Sequence, residues 1–318
     1  MLQEAVDYLV YGALGMARDS RLGETLNFFV YDSVKIILLL FFMILAIGFL
    51  RTYIPQKKIK DWLSRTRFGL GHLAASLFGA VTPFCSCSSI PIFMSLLEAG
   101  IPLGVTFSFL TTSPIINEYL VVIMLGFFGM KITALYVASG ILIGTLSGIA
   151  IGRMKLEKHL EKDLTPANES KIMGYKDMKS RVMFGYREAS TIVKRLWLWV
   201  LVGVGVGAAI HGFVPEQTIQ SLIGAGGAFT VPLAVLLGVP LYANCAAIVP
   251  IALVLFQKGV PLGTALAFMM ATAALSLPEA VILRRVMRIQ LILVFFGIVS
   301  AAIVFTGYLF NFLQNILL

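Results

Sequence analysis

The sequence predicts an all-α integral membrane protein made of two inverted-topology repeats, each with a re-entrant helical hairpin and a broken transmembrane helix. Three observations lead there. Residues 36–50, 132–152, 196–210 and 289–310 contain no Asp, Glu, Lys or Arg, and with their flanks they supply the roughly 17–25 apolar residues that a spanning helix needs. A segment of the first half returns in the second half at an offset of 159. The basic residues collect in three regions, which sets the direction of each half. Composition agrees, with 58% of the 318 residues hydrophobic and 13% charged, against about 45–50% and about 25% in soluble domains.

The repeat is most visible as GIPLG (100–104) and GVPLG (259–263). Holding the offset across residues 75–109 gives eleven identities in thirty-five positions, among them Gly79/Gly238, Pro91/Pro250, Pro102/Pro261 and Phe109/Phe268. YIPQKKI (53–59) also matches FVPEQTI (213–219), at an offset of 160. Aligned glycines and prolines are harder to obtain by chance than aligned leucines, so the pattern reads as a duplication.

Residues 51–67 carry six Lys or Arg, residues 153–195 carry eleven, and Arg284, Arg285 and Arg288 add three, together twenty of the twenty-five basic residues. Placing these regions in the cytoplasm satisfies the positive-inside rule. The net charge of +9 therefore reads as topology, not as affinity for nucleic acid.

The elements follow in order. Residues 2–17 read as an amphipathic helix at an interface, because Glu4 and Asp7 interrupt an apolar stretch that also lacks the basic start of a signal peptide. The first spanning helix, about 28–50, runs outside to inside and ends at Arg51. The apolar pieces 69–84, 88–99, 102–112 and 114–129 come next, separated by CSCSS, a Gly100–Pro102 turn and Ser113–Pro114. Most are too short to span, which predicts a re-entrant hairpin over 69–99 and one broken helix over 102–129; three short crossings per half are the alternative. Residues 131–152 return inward to Arg153. The second half repeats the scheme with about 195–213, a hairpin over 228–257, a broken helix over 261–283 and an outward helix over about 289–314. The expected units are therefore an interfacial helix (1–27), a first repeat (28–152), a basic cytoplasmic linker (153–194) and a second, inverted repeat (195–318). Both termini fall outside a prokaryotic inner membrane.

Non-helical backbone at membrane depth survives only where it is buried in protein or lines a cavity, so the breaks mark the expected site. The hairpin tips are TPFCSCSSIP (82–91) and YANCAAIVP (242–250), and the three cysteines Cys85, Cys87 and Cys245 all lie in them. Cys and Ser also suit a tight turn simply as small residues. Three cysteines form no disulfide framework. Half-helices beginning after each tip, near Ser88 or Ser89 and near Ala246, and at Ser113–Pro114 and Ser276, would direct positive helix ends toward mid-membrane. Such a field favours an anionic or electron-rich substrate and the thiolate form of Cys85 and Cys87.

The candidate substrate-binding residues are Cys85, Ser86, Cys87, Ser88, Thr112, Ser113, Asn117, Asn244, Cys245 and Ser276. Cys85, Cys87 and Cys245 are also the candidate soft-metalloid ligands. Glu118 and Glu279 are candidate proton-coupling groups, since an ionisable residue inside a membrane is costly. Ser276-x-x-Glu279 also has the spacing of a capping box, which would give Glu279 a purely structural role. His72, His159 and His211 show no ligand spacing and read as structural. No phosphate loop or catalytic triad occurs, so no catalytic residue, enzyme activity or cofactor is expected. The expected partners are the bilayer, a small substrate and protons.

At TPFCSCSSIP, GIPLGVTFSFLTTSPIINE (100–118), YAN (242–244) and GVPLGTALAFMMATAALSLPE (259–279), the sequence resembles the ArsP/YraQ family of predicted permeases. The resemblance runs from about residue 28 to the C-terminus. It implies a permease, export rather than uptake, and thiol-reactive cargo such as trivalent organoarsenicals, with Cys85 and Cys87 matching the cysteine motif. Two other functions fit the same residues. A transmembrane thiol–disulfide relay would need Cys85 or Cys87 to exchange bonds with Cys245. A transporter of a small sulfur oxyanion would use the helix N-termini and need no thiolate.

Overall fold

The computed structural model describes residues 2–17, 20–52, 69–82, 86–160, 177–213, 227–241 and 245–317. Their regular structure is helical; an isolated bridge between Leu160 and Met287 is the only β-type pairing among the described residues. Three described segments are long and apolar enough to cross a membrane: Leu120–Arg153, Leu262–Leu283 and Ile289–Ile316.

Helix α1 (Leu2–Asp7) runs on through a π-helical turn to Ala13. Val6 and Val10 bury one side, and Tyr8, Leu9 and Leu14 stay exposed on the other. Asp7 accepts hydrogen bonds from Gln3 (2.9 Å) and Asn27 (2.7 Å), which ties this segment to α2 (Arg21–Arg51). The first long helix thus begins ahead of the expected residue 28.

Short helices come next: α3 (Leu70–Val81), α4 (Ser86–Glu98) and α5 (Leu103–Ile115). Twelve or thirteen residues rise only about 18–20 Å, less than the hydrocarbon thickness of roughly 30 Å. Helix α6 (Glu118–Arg153) is kinked at Gly129, whose φ of 76° suits glycine alone.

Helix α7 (Met178–Phe213) takes up the end of the basic linker, since it starts well before the expected residue 195. The second half then holds α8 (Thr230–Gly238), α9 (Cys245–Gln257), α10 (Leu262–Ala274), α11 (Leu277–Leu283) and α12 (Ile289–Leu317).

The offset of 159 carries into backbone detail. Helices α4 and α9 have thirteen residues each, as do α5 and α10. The turn glycines Gly100 and Gly259 have φ of 78° and 89°. The N-cap prolines Pro102 and Pro261 share dihedrals of −56°, 140° and −55°, 142°. Close contacts repeat as well: a Cβ on Gly79 would lie 3.0 Å from the Phe109 carbonyl oxygen, and one on Gly238 would lie 3.1 Å from that of Phe268.

Among the pairings that join the halves, two involve the long helices. Helices α2 and α7 pack antiparallel: Arg181 donates to the Thr52 carbonyl (3.0 Å), Phe41 meets Tyr186, and Phe29 lies opposite Gly205. The segment that follows α6 meets the residues just ahead of α12, where the Arg288 N–H donates to the His159 carbonyl (2.8 Å) beside the Leu160–Met287 bridge. At the centre, Phe107 of α5 stacks between Phe93 of α4 and Phe295 of α12, with both centroid distances 5.1 Å.

Candidate functional site

Helix α5 is the innermost element, with all thirteen of its residues buried. It carries Thr111, Thr112 and Ser113 in succession, so three hydroxyls must find partners away from water. Thr111 donates to the Phe107 carbonyl (2.8 Å) and Thr112 to the Ser108 carbonyl (2.9 Å), one turn back in the same helix. Ser113 instead reaches out and meets the Ser89 hydroxyl of α4 at 2.8 Å. That bond joins the helix that follows the first cysteine tip to the helix that precedes the break.

Two details differ from expectation. Helix α4 starts at Ser86, so Ser88 and Ser89 lie within it rather than capping it, and the Ser89 hydroxyl meets that of Ser113. Nor does the break fall at Ser113–Pro114. Pro114 sits in the last turn of α5, where its missing N–H forfeits a single helical bond, and the chain leaves the helix at Ile116 with extended dihedrals of −117°, 97°. The Ile115 carbonyl freed there accepts from the hydroxyl of Tyr136, a fully buried side chain of α6 (3.0 Å). Asn117, 8% exposed, precedes α6.

The corresponding break of the second half lies at Leu275–Ser276. Ser276 is an N-cap whose side chain accepts from the Glu279 N–H (3.4 Å). The reciprocal half of the capping box is not made, because neither carboxyl oxygen of Glu279 has a hydrogen-bond partner among the described residues. Glu279 is 1% exposed. Glu118, the other acid at a break, is exposed.

Cys85 and Asn244 lie outside the described residues, as do the side chains of Ser86, Cys87, Ser88 and Cys245. The backbone puts Ser86 and Cys245 at the first positions of α4 and α9. No cluster of three metal-ligating side chains occurs among the described residues. His72 lies beside Gly104 at the start of α5, and His159 contributes its backbone to the link with Arg288.

Sequence reasoning missed Ser89 as a partner of Ser113, and Tyr136 as the group that satisfies the break. It also passed over Gly140, Gly144, Gly148 and Gly152, one face of α6 at four-residue spacing. That small-residue stripe was readable as a close-packing signal. Backbone and hydroxyls of α5 occupy the space beside Gly144 and Gly148, and the Ile115 and Ile116 side chains that beside Gly140; a Cβ on Gly144 would collide with the Thr112 hydroxyl.

A family model described as a predicted permease, ArsP, matches residues 21–312. A protein named as a two-component membrane permease complex subunit of Streptococcus mutans is 23% identical over 197 residues, covering 61% of this chain and 65% of its own. A UPF0718 protein of Methanocaldococcus jannaschii is 20% identical across 88% of this chain and 92% of its own. The UPF0718 protein YcgR of Bacillus subtilis is 23% identical across 55% of this chain and 59% of its own. The chain thus spans less than two thirds of the streptococcal and Bacillus relatives. No solved structure matches. An all-helical chain with apolar spans, a buried polar belt at its helix breaks and a family match over most of its length belongs to this family of predicted permeases, a group of membrane transporters.

Proposed function

We propose that the protein is a secondary exporter that carries a small thiol-reactive substrate, of the class of trivalent organoarsenicals, by alternating access between two inverted repeats. The observation that carries this reading is the buried hydroxyl belt of Thr111, Thr112 and Ser113, whose last member bonds Ser89, three residues into the first of the two helices that open at the cysteine tips. Polar residues within membrane segments are uncommon and often mark substrate or ion pathways.

Inversion is supported by the antiparallel α2 and α7 and by the junction of the end of α6 with the start of α12. In many transporters, sites lie where such repeats meet, at broken helices near mid-bilayer. In this scheme Cys85, Cys87 and Cys245 supply soft ligands, and Ser86, Ser88, Thr112, Ser113, Asn117, Asn244 and Ser276 line the polar path. Glu118 and Glu279 are the acids available for proton coupling. The basic linker is cytoplasmic and both termini are outside.

The test is a pair of substitutions, Cys85→Ser and Cys87→Ser, in a host sensitive to phenylarsine oxide. Resistance is expected to disappear while membrane levels of the protein stay unchanged. Undiminished resistance would remove the thiolate site. Thiol trapping on membranes separates export from an electron relay: cysteines that stay reduced during export exclude the relay.

A further inference from the structure

The two halves match so closely in backbone that each serves as a control for the other. At the offset of 159, Ser276 corresponds to Asn117, and both stand just ahead of a helix at a break. Glu279 corresponds to Leu120, which is fully buried. The fold thus accepts a hydrocarbon at this place in one half and holds a carboxyl in the other. Ser276 already caps α11, and the Glu279 side chain takes no part in that cap. Both carboxyl oxygens are buried and have no hydrogen-bond partner among the described residues. Burying an isolated carboxylate costs far more than burying the neutral acid, so packing alone gives no reason for this residue.

The second half is otherwise the less polar one along this path. Ser89, Thr111 and Thr112 correspond to Ile248, Met270 and Ala271, each buried. Ser113 corresponds to Thr272, which keeps a buried hydroxyl, so the second half holds fewer hydroxyls along this path and adds the buried acid.

We propose that Glu279 is the proton carrier of the transport cycle: it holds a proton in the packing seen here, and releases it to water when the halves rearrange and open a cavity to α11. The ion is a proton rather than a metal cation. Hard cations need several oxygen ligands, and among the described residues this carboxyl has no hydrogen-bond partner and belongs to no cluster of three metal-ligating side chains. The balance is one O–H bond broken per cycle, the proton leaving to the cytoplasm and a new one arriving from outside.

Helix α11 packs against α7 and α4. On α7, Lys179, Tyr186, Arg187 and Lys194 are exposed and Arg181 bonds Thr52; on α4, Glu98 is exposed. The side chains of Glu188, Arg195 and His211 on α7, and of Cys87 on α4, lie outside the described residues.

This inference rests on the permease reading, and the test keeps the two apart. Infrared spectra of the purified full chain in lipid at neutral pH are expected to show the carbonyl stretch of a protonated carboxylic acid. The band should be lost in Glu279→Gln and kept in Glu118→Gln and Glu98→Gln. Its absence from the unsubstituted protein, or its persistence in Glu279→Gln, would overturn the proposal. In proteoliposomes loaded with a pH dye, phenylarsine oxide transport should move protons in the unsubstituted protein and in Glu98→Gln. Glu279→Gln should retain exchange of phenylarsine oxide without proton movement. Proton movement retained in Glu279→Gln would also overturn the proposal. If the unsubstituted protein fails to move phenylarsine oxide but the infrared band behaves as expected, the cargo assignment falls and the protonation of Glu279 stands.

Discussion

Tyr136 is a hydroxyl-bearing ring inside an apolar span, and its role follows from what it touches. A helix that stops inside a protein leaves carbonyls without partners, and the Tyr136 hydroxyl satisfies the one at Ile115. Tyr136→Phe keeps the ring and removes the donor. We expect a loss of about 1 kcal/mol, read as a lower unfolding temperature in detergent. An unchanged unfolding temperature would mean that the carbonyl finds another donor. Ser113→Ala breaks the bond to Ser89 instead. If that bond holds the start of α4 against the polar belt, phenylarsine oxide resistance should fall while insertion persists. Resistance at the original level would mean that the bond serves packing alone. Neither partner was legible in the chain, because Ser89 and Ser113 are 24 positions apart and meet only once two short helices lie side by side.

Among elements, close approach is the governing constraint. Van der Waals packing and interhelical hydrogen bonds hold membrane helices together, so small residues let backbones meet. The glycines of α6 do this against α5, and Gly144 faces Thr112 directly. Gly144→Val should separate the helices and cost about 1–3 kcal/mol through overpacking, measured as loss of folded protein on detergent size-exclusion. Unaltered yield and elution would show that α5 can retreat. The halves differ at the other end of the corresponding contact. Asn311 of α12 accepts from the Thr264 N–H (3.2 Å), and Gln314 accepts from the Leu262 N–H (2.9 Å), which together satisfy the start of α10. Gly152 stands where Asn311 would fall in the first half. Asn311→Ala should cost about 1 kcal/mol, in the range of lost helix caps, again as a lower unfolding temperature; no change would imply that water replaces the cap.

For the whole molecule, the decisive property is the relative direction of the two halves. Single cysteines placed at Lys158 and Arg285, in a chain without Cys85, Cys87 and Cys245, are expected to react with an impermeant maleimide from the same side of the membrane. Cysteines at Thr52 and Lys179 should be labelled from that side too. Labelling of either pair from opposite faces would end the inverted arrangement. The expectation rests on two contacts, Arg181 of α7 with Thr52 at the end of α2, and Arg288 ahead of α12 with His159 beyond the end of α6.

Gly, Pro and the long charge-free runs carried the sequence-level reading, because their effects are local. A glycine such as Gly100 takes a positive φ wherever it stands, and an uncharged run of sufficient length is apolar whatever surrounds it. Hence the helical class, the membrane setting and the short helices were available from the chain itself, and the offset of 159 suggested a doubling. Proline misled once: Pro114 looked like a break and is the last turn of a helix, since a buried environment can absorb one missing bond. Only the tertiary structure decided which polar groups find partners. Ser113 found Ser89 and the Ile115 carbonyl found Tyr136, whereas Glu279 was buried with no described partner. Burial and pairing depend on what lies across the gap between helices, and that neighbour is set by packing rather than by adjacency along the chain.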